Sequence, residues 1–236
     1  MIPTLQQGQL GRRRRVGFGK DMVRLRFEAP NNSQTHIDEG IAESVWIASS
    51  SAVHITTAYT SKEAAGALAV DNALNSLSTP YKDANAITSG EWFVGFYAEV
   101  YTTFASKYLL GVENAAGTAA GSAWFFYFDI SRLPHFYYSD GTTRASINST
   151  TAITSGTSHY YACEKVGTTI YLSIDGTVVA SAGFANSLNL PTGESITIGP
   201  SPGGPGPSVL YLDMLQIRRA SVYAGANFTA PTAPIP

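Results

Sequence analysis

Apolar and polar side chains alternate along much of this 236-residue chain, and this alternation constrains its fold most strongly. In the stretch MVRLRFEA, each of Val23, Leu25 and Phe27 is followed by a charged residue. Successive side chains of a β-strand point to opposite faces of a sheet, so this spacing predicts a strand with one buried face. The opening of the chain body is therefore expected to be a β-strand.

Aromatic and β-branched runs then recur roughly every 8–12 residues, with turn residues between them. Two long strands are predicted over residues 91–103 and 106–113, and Asp140-Gly141 and Asp175-Gly176 are typical of two-residue hairpin turns. Residues 62–77 have a helix-like composition, but Gly66 and the Asn-Ser breaks disfavour a full helix, so both alternatives stay open. About twelve strands with little helix predict an all-β protein, an antiparallel two-sheet β-sandwich.

Charge is distributed unevenly along the chain. Residues 1–26 hold seven basic groups and one acidic group, a net +6, whereas the remainder holds eight basic and sixteen acidic groups, a net −8. We therefore divide the chain into an extended basic N-terminal arm (1–21), a β-sandwich domain (22–228) and a Pro-rich C-terminal tail (229–236). The proposed partner-binding residues of the arm are Arg12, Arg13, Arg14 and Arg15.

Three partners would suit such an arm, namely a nucleic acid, an acidic face of another protein, or the acidic body of a neighbouring copy. A solvated terminus without a partner is the alternative. The net −8 of the body would repel a phosphate backbone, which disfavours nucleic acid.

The composition excludes several classes of protein. Hydrophobic residues make up 44% and charged residues 14%, a balance that a disordered chain does not have. No apolar run is long enough to cross a bilayer, so membrane insertion is not expected. The N-terminus lacks an apolar segment after its basic residues, so no secretory signal is expected. The single cysteine, Cys163, lies in an apolar strand-like run and is expected to be a buried hydrophobic residue.

The acidic residues do not form the pattern that glycoside hydrolysis requires. That chemistry needs two carboxylates projecting into one cleft, and a strand would supply them from alternate positions. Here Asp38 and Glu39 are adjacent, and Glu91 and Glu99 are eight positions apart. No Gly-x-Ser-x-Gly nucleophile motif occurs either. The histidines are scattered singly: His36, His54, His135 and His159. We therefore predict no enzymatic activity, no catalytic residues and no cofactor.

Calcium needs six to eight oxygen ligands, and three aspartates are the available donors. Asp140 and Asp175 are equally explained as turn residues that tolerate a positive φ. Asp213 could simply accept a hydrogen bond from a neighbouring loop. No metal site is predicted, and the binding of a calcium ion stays an open alternative.

Adjacent aromatic residues on one strand must point to opposite faces of the sheet. The pattern therefore predicts inward and outward rings in each of the aromatic blocks 124–128, 137–138 and 160–161. Outward aromatic rings on a protein of low charge favour a contact between subunits, with a glycan-binding platform as the alternative.

Three stretches resemble the concanavalin A-like, or laminin-G-like, jelly-roll family, especially its members in bacterial and phage surface proteins. VRLRFEAPNNSQTHIDEG resembles the opening strand, TSGTSHYYACEKVGTTIYLSIDGTVVASAGF the characteristic hairpin, and SITIGP with LYLDMLQIRRASVYAGANFTAPTAP the closing strand. The chain departs from the family where Ser158-His159 replaces the usual Trp. The Phe-Thr-x-Pro ending and the QGQL-type arm look most like tailed-bacteriophage virion proteins.

This resemblance implies a non-enzymatic structural component of a bacteriophage virion, either a capsid decoration or a tail or fibre subunit. It would be made in the host cytoplasm, anchored to other virion proteins through its arm, and assembled as a homo-oligomer, with a trimer as one form. The jelly-roll domain would serve adhesion to a host-surface glycan. A free carbohydrate-binding module and a polysaccharide hydrolase are the alternatives.

Overall fold

A computed structural model describes residues 21–26, 37–38, 40, 42, 44–56, 67–70, 75–101, 107–200 and 209–232, with the backbone alone at 26, 37, 38 and 107. The arm residues Arg12, Arg13, Arg14 and Arg15 lie outside this part, as do His36, Glu39 and the end of the C-terminal tail. The arm and its boundaries therefore stay predictions.

Sixteen strands are present in the described residues. They are β1 (Asp21–Arg26), β2 (Ile37–Asp38), β3 (Ile47–Ala48), β4 (Val53–Thr56), β5 (Ala67–Val70), β6 (Leu77–Pro80), β7 (Trp92–Tyr101), β8 (Lys107–Glu113), β9 (Ser122–Phe128), β10 (Pro134–Ser139), β11 (Arg144–Asn148), β12 (Ser158–Val166), β13 (Thr169–Ile174), β14 (Thr177–Gly183), β15 (Ser195–Ile198) and β16 (Val209–Arg218). The long strands expected at 91–103 and 106–113 are β7 and β8.

The strands form two antiparallel sheets. The nine-stranded sheet has the order β14-β13-β12-β7-β16-β1-β2. In addition, β5 pairs with another part of β16, and β4 pairs with β5. The seven-stranded sheet has the order β11-β10-β9-β8-β15-β6-β3. The expected all-β, antiparallel two-sheet sandwich is therefore confirmed.

One hydrophobic core lies between the two sheets. Phe96 of β7 meets Phe126 of β9 edge to face, with 4.9 Å between ring centroids, so the sheets are joined by interlocking aromatic rings. Cys163 is fully buried in this core, as the sequence predicts. Burial raises the pKa of its thiol well above the usual value, since a thiolate would lose its hydration there.

The helix left open for residues 62–77 does not appear in the described part of that segment. Ala67–Val70 is strand β5, and β6 begins at Leu77. Leu68 and Val70 alternate with Ala69, and both enter the core. Pairing with β16 satisfies their backbone groups, so tertiary contacts override the helix-like composition. Within the described residues, no helix has the length and apolar character to span a membrane.

The C-terminal segment (219–232) folds back over the outer face of the nine-stranded sheet. Tyr223 and Phe228 pack on a separate apolar cluster that includes Phe93, Tyr97 and Tyr160. The segment is also held through its backbone, because the N–H groups of residues 222, 223 and 225 donate to the Glu164 carboxylate at 2.8–3.0 Å. The nine-stranded sheet is therefore covered on both faces along this region.

Beside this segment, a buried ionic cluster joins β1 to β16. The Arg218 Nε lies 2.8 Å from Asp21 Oδ1, and Gln216 Nε2 donates to Asp21 Oδ2 at 3.2 Å. Arg24 Nη1 is 3.9 Å from the same carboxylate. Asp21 is fully buried, so this cluster ties the first described strand to the last.

Candidate functional site

The outer side of the seven-stranded sheet carries a row of ring side chains and one arginine, which we call the aromatic face (Phe125, Tyr127, His135, Tyr137 and Arg144). The strand register brings these residues together, because His135 of β10 lies opposite Tyr127 of β9, and Tyr137 lies opposite Phe125. Their sequence neighbours Trp124, Phe126, Phe128, Phe136 and Tyr138 all point into the core. The predicted division of aromatic blocks between the two faces is therefore confirmed.

The rings of the aromatic face stack on one another. Phe125 and Tyr137 are nearly parallel, with centroids 4.8 Å apart and an interplanar angle of 14°. Tyr127 meets Tyr137 edge to face at 5.7 Å, and Tyr108 of β8 stacks on Phe125 at 5.3 Å. Tyr127 and Tyr137 stay half-exposed. The result is a rigid aromatic surface that water reaches.

Gly111 of β8 makes room for Phe125 in this row. Its φ is +153°, and a Cβ there would lie 2.4 Å from the Phe125 Cα and Cβ atoms. Real Cβ atoms do not approach other heavy atoms so closely, so a side chain at this position would push Phe125 out of the stack.

Arg144 covers one end of the row. Its guanidinium carbon lies 4.8 Å from the Phe125 centroid and 4.9 Å from the Tyr137 centroid, which is within cation–π range. The same guanidinium pairs with Glu113 at 2.7 Å and donates to the Gly117 carbonyl. The charge of Arg144 is thus neutralised, and its side chain is held in place.

A carboxylate and an imidazole border the other end. Asp129 Oδ2 lies 3.2 Å from His135 Nε2, and Asp129 Oδ1 accepts the Ser131 and Leu133 N–H groups at 2.8 and 2.9 Å. Partial burial acts to raise the pKa of Asp129, but the Leu133 N–H, the His135 side chain and the Ser131 N–H lower it below its usual value. Asp129 is therefore ionised, and the Nε2–H of His135 donates to it.

These features together form a polar-edged apolar surface of low net charge. Ser146 and Asn148 of β11 lie beside Tyr137 and His135, and Asn148 is exposed. A sugar ring has the complementary chemistry, since its C–H face packs on an aromatic ring while its hydroxyls bond amide and carboxylate groups. The aromatic face could hold such a ring without reacting with it.

The opposite, nine-stranded sheet carries Glu99 and Asp213 on adjacent strands, although they are far apart in the sequence. Glu99 of β7 lies opposite Tyr211 of β16, and Asp213 lies opposite Tyr97. The Tyr101 hydroxyl donates to Glu99 at 2.5 Å, and Asp213 is buried with its Oδ1 accepting its own neighbour's N–H. Acidic residues that alternate along one strand can be recognised in the sequence, whereas this placement on adjacent strands cannot. Both carboxylates have hydrogen-bonding roles within the fold.

The three aspartates considered as calcium ligands do not gather in one place. Asp140 accepts the Thr142 and Thr143 N–H groups in the β10–β11 hairpin, which is its turn role. Asp175 has a φ of +51° in the β13–β14 turn and pairs with His159 at 2.7 Å. Among the residues that the structure describes, no group of three His, Cys, Asp or Glu side chains could bind a metal ion.

Arg144, Glu113 and the Asp129–His135 pair are functional candidates that sequence reasoning missed. Single histidines and arginines in strand-like runs carry no signal of their own. Alternation does place Arg144 and His135 on outward faces, but only the register of β9, β10 and β11 sets them beside the same rings.

No protein-family model matches the sequence, and no curated protein does. Solved structures are similar in fold. The binding domain of Paraclostridial Mosquitocidal Protein 1 has a TM-score of 0.64 at 11% identity, over 86% of this chain and 49% of that chain. A botulinum neurotoxin serotype D ligand-binding domain has a TM-score of 0.63 at 11% identity, over 86% of this chain and 48% of that chain. A botulinum neurotoxin type C structure has a TM-score of 0.61 at 8% identity, over 86% of this chain and 48% of that chain.

This chain thus spans about half the length of the structures that it resembles. The first two are binding domains, and at 8–11% identity the likeness shows the fold alone. It supports the two-sheet β-sandwich that the sequence predicts.

Proposed function

We propose that this protein is a non-enzymatic adhesion module that binds a surface glycan on its aromatic face. The stacked, half-exposed Tyr127 and Tyr137 carry the proposal, because rigid aromatic rings bordered by amide, hydroxyl and carboxylate groups suit a neutral sugar. The low net charge of the face favours a glycan over a charged partner.

The structural neighbours are consistent with this function. One of them is a ligand-binding domain in complex with N-acetylneuraminic acid, and botulinum neurotoxin type C depends on two ganglioside molecules for cell entry. Each is matched over only half its length, so those ligands support the class of function and not a location on this chain.

Glycan binding is tested by removing the rings of the aromatic face. We expect Tyr127→Ala and Tyr137→Ala each to weaken binding to the glycan found on an array about tenfold, because a lost stacking contact is worth about 1.4 kcal/mol. Tyr127→Phe should retain most of the binding, since it keeps the ring. The measurement is a titration of each folded variant against that glycan.

Tyr101→Ala is the matched control, because Tyr101 is 43% exposed and lies on the opposite sheet. Its affinity should equal that of the original chain. If Tyr101→Ala loses binding and Tyr127→Ala keeps it, the glycan site lies on the nine-stranded sheet. An array without any bound glycan would end the adhesion proposal.

We further propose that the module is a structural component of a bacteriophage virion, a capsid decoration or a tail or fibre subunit. The basic arm with Arg12, Arg13, Arg14 and Arg15 would attach it to other virion proteins, and a homo-oligomer such as a trimer would multiply weak glycan contacts. The support is the arm on an acidic body together with the resemblance of the opening, hairpin and closing stretches.

Deleting residues 1–20 tests the anchoring role. We expect the shortened chain to fold with an unchanged unfolding midpoint but to be absent from purified particles by mass spectrometry. The deletion stops before Asp21, because that residue belongs to β1 and pairs with Arg218. Absence of the full chain from particles would instead favour the free carbohydrate-binding module.

A further inference from the structure

A cleft of about 210 Å³ opens at one side of the sandwich, where the edges of the two sheets approach each other. The β10–β11 hairpin forms one wall, and the end of β14 with the residues after it forms the other. Tyr138 and Phe184 line the floor, while Asp140, Thr143 and Asn186 lie at the rim. The aromatic face lies on the outer side of the same hairpin, so the two surfaces are separate.

The walls of the cleft are held in place by hydrogen bonds between them. Asn186 Nδ2 donates to Asp140 Oδ2 at 2.6 Å, which links the two walls directly. The backbone N–H groups of Thr142 and Thr143 donate to Asp140 Oδ1 at 2.9 and 2.7 Å. From below, Lys165 Nζ donates to the Asn186 carbonyl at 2.7 Å. The polar groups are therefore pre-positioned before any ligand arrives.

The floor is aromatic and apolar. Tyr138 meets Phe184 edge to face, with 4.9 Å between centroids. The Lys165 ammonium lies 5.1 Å from the Phe184 centroid, so it helps to fix that ring. Ala145 and Gly183 add small surfaces at the sides.

The charges near the cleft define the class of ligand. The N–H groups of Thr143 and Thr142, with the Asn186 amide, lower the pKa of Asp140, so it is an ionised acceptor. Of the described residues that line the cleft, Asp140 is the one that carries a charge, which disfavours an anion. One carboxylate and one amide are also too few for calcium. A neutral ligand that donates hydroxyl groups and has an apolar face fits this arrangement.

The size of the cleft restricts the ligand further. Its volume lies below the roughly 300–1,000 Å³ of typical drug-sized sites, so it suits one ring and not a chain. We propose that this cleft is a second glycan site, which holds one neutral sugar residue at the end of a glycan. Asp140 and Asn186 accept its hydroxyls, and the floor of Tyr138 and Phe184 contacts its carbons. This inference rests on the proposed glycan-binding function.

Asn186→Ala tests the site by removing an amide from its rim. Asn186 is exposed, so we expect the fold to tolerate its truncation, which also removes the hydrogen bond to Asp140. The probes are the methyl glycosides of glucose, galactose, mannose, N-acetylglucosamine and N-acetylgalactosamine, and their binding is followed by the amide chemical shifts of the full chain. At least one probe should shift the signals of Asp140 and Asn186, and Asn186→Ala should weaken its affinity at least tenfold.

Two controls distinguish this site from the aromatic face. Ser187→Ala truncates the next exposed side chain, which does not line the cleft, and should leave the affinity unchanged. Tyr127→Ala should weaken array binding while the monosaccharide shifts at Asp140 persist. If Tyr127→Ala loses glycan binding but no probe shifts Asp140 or Asn186, the adhesion function stands and the second site is wrong. If no glycan or monosaccharide binds anywhere, both proposals are wrong.

Discussion

Asp21→Ala should lower the free energy of unfolding by about 3–5 kcal/mol, because it leaves the buried guanidinium groups of Arg218 and Arg24 without this counter-charge. Asp21 is fully buried, so solvent does not screen its interactions. Urea denaturation followed by tryptophan fluorescence measures the loss. An unchanged m-value would show that the loss lies in stability and not in cooperativity.

Asp83→Ala is the matched control, since Asp83 is an exposed aspartate, and it should change stability by less than about 0.5 kcal/mol. The double variant Asp21→Ala, Arg218→Met should regain part of the loss, because it removes the buried guanidinium of Arg218 together with the carboxylate of Asp21. Equal stabilities of Asp21→Ala and the original chain would mean that the cluster does not hold β1 to β16.

Glu164→Ala should lower the free energy of unfolding by about 3 kcal/mol or more and release the C-terminal segment (219–232) from the sheet. One carboxylate accepts the N–H groups of Val222, Tyr223 and Gly225, and hydrogen bonds to a buried charge contribute about 1.5–3 kcal/mol each. Hydrogen exchange of these three amides should become faster by two or more orders of magnitude, whereas β8 and β9 should keep their protection.

Glu164→Gln gives the graded comparison, because its single carbonyl oxygen can replace only one of the two acceptor atoms. Its stability should therefore fall between those of the original chain and Glu164→Ala. Unchanged exchange of the Tyr223 amide in Glu164→Ala would mean that the packing of Tyr223 and Phe228 alone holds the segment.

The sequence predicts those features that follow from local alternation. Strands β7 and β8 are recognised because aromatic and β-branched residues crowd a short span, and the opposite orientations of Tyr137 and Tyr138 follow from the pleat. The burial of Cys163 follows from its apolar neighbours. The β5 strand was harder to recognise, since alanine-rich residues suit a helix unless another strand takes their backbone groups.

Features that depend on distant partners could not be predicted. Asp21 and Gln216 are 195 positions apart and meet only because β1 and β16 are neighbours. Arg144 reaches Phe125 only in one register of three strands, and a shift by a single residue would turn it towards the core. The candidate glycan surface is thus a property of strand pairing, whereas its aromatic content can be read from composition.

The position of β1 in the nine-stranded sheet also bears on orientation. That strand starts at Asp21, in the layer opposite the one that carries Tyr127 and Tyr137. A tether preceding residue 21 would therefore join the sandwich at its back layer. A copy held in this way would present its aromatic face on the layer away from the attachment point.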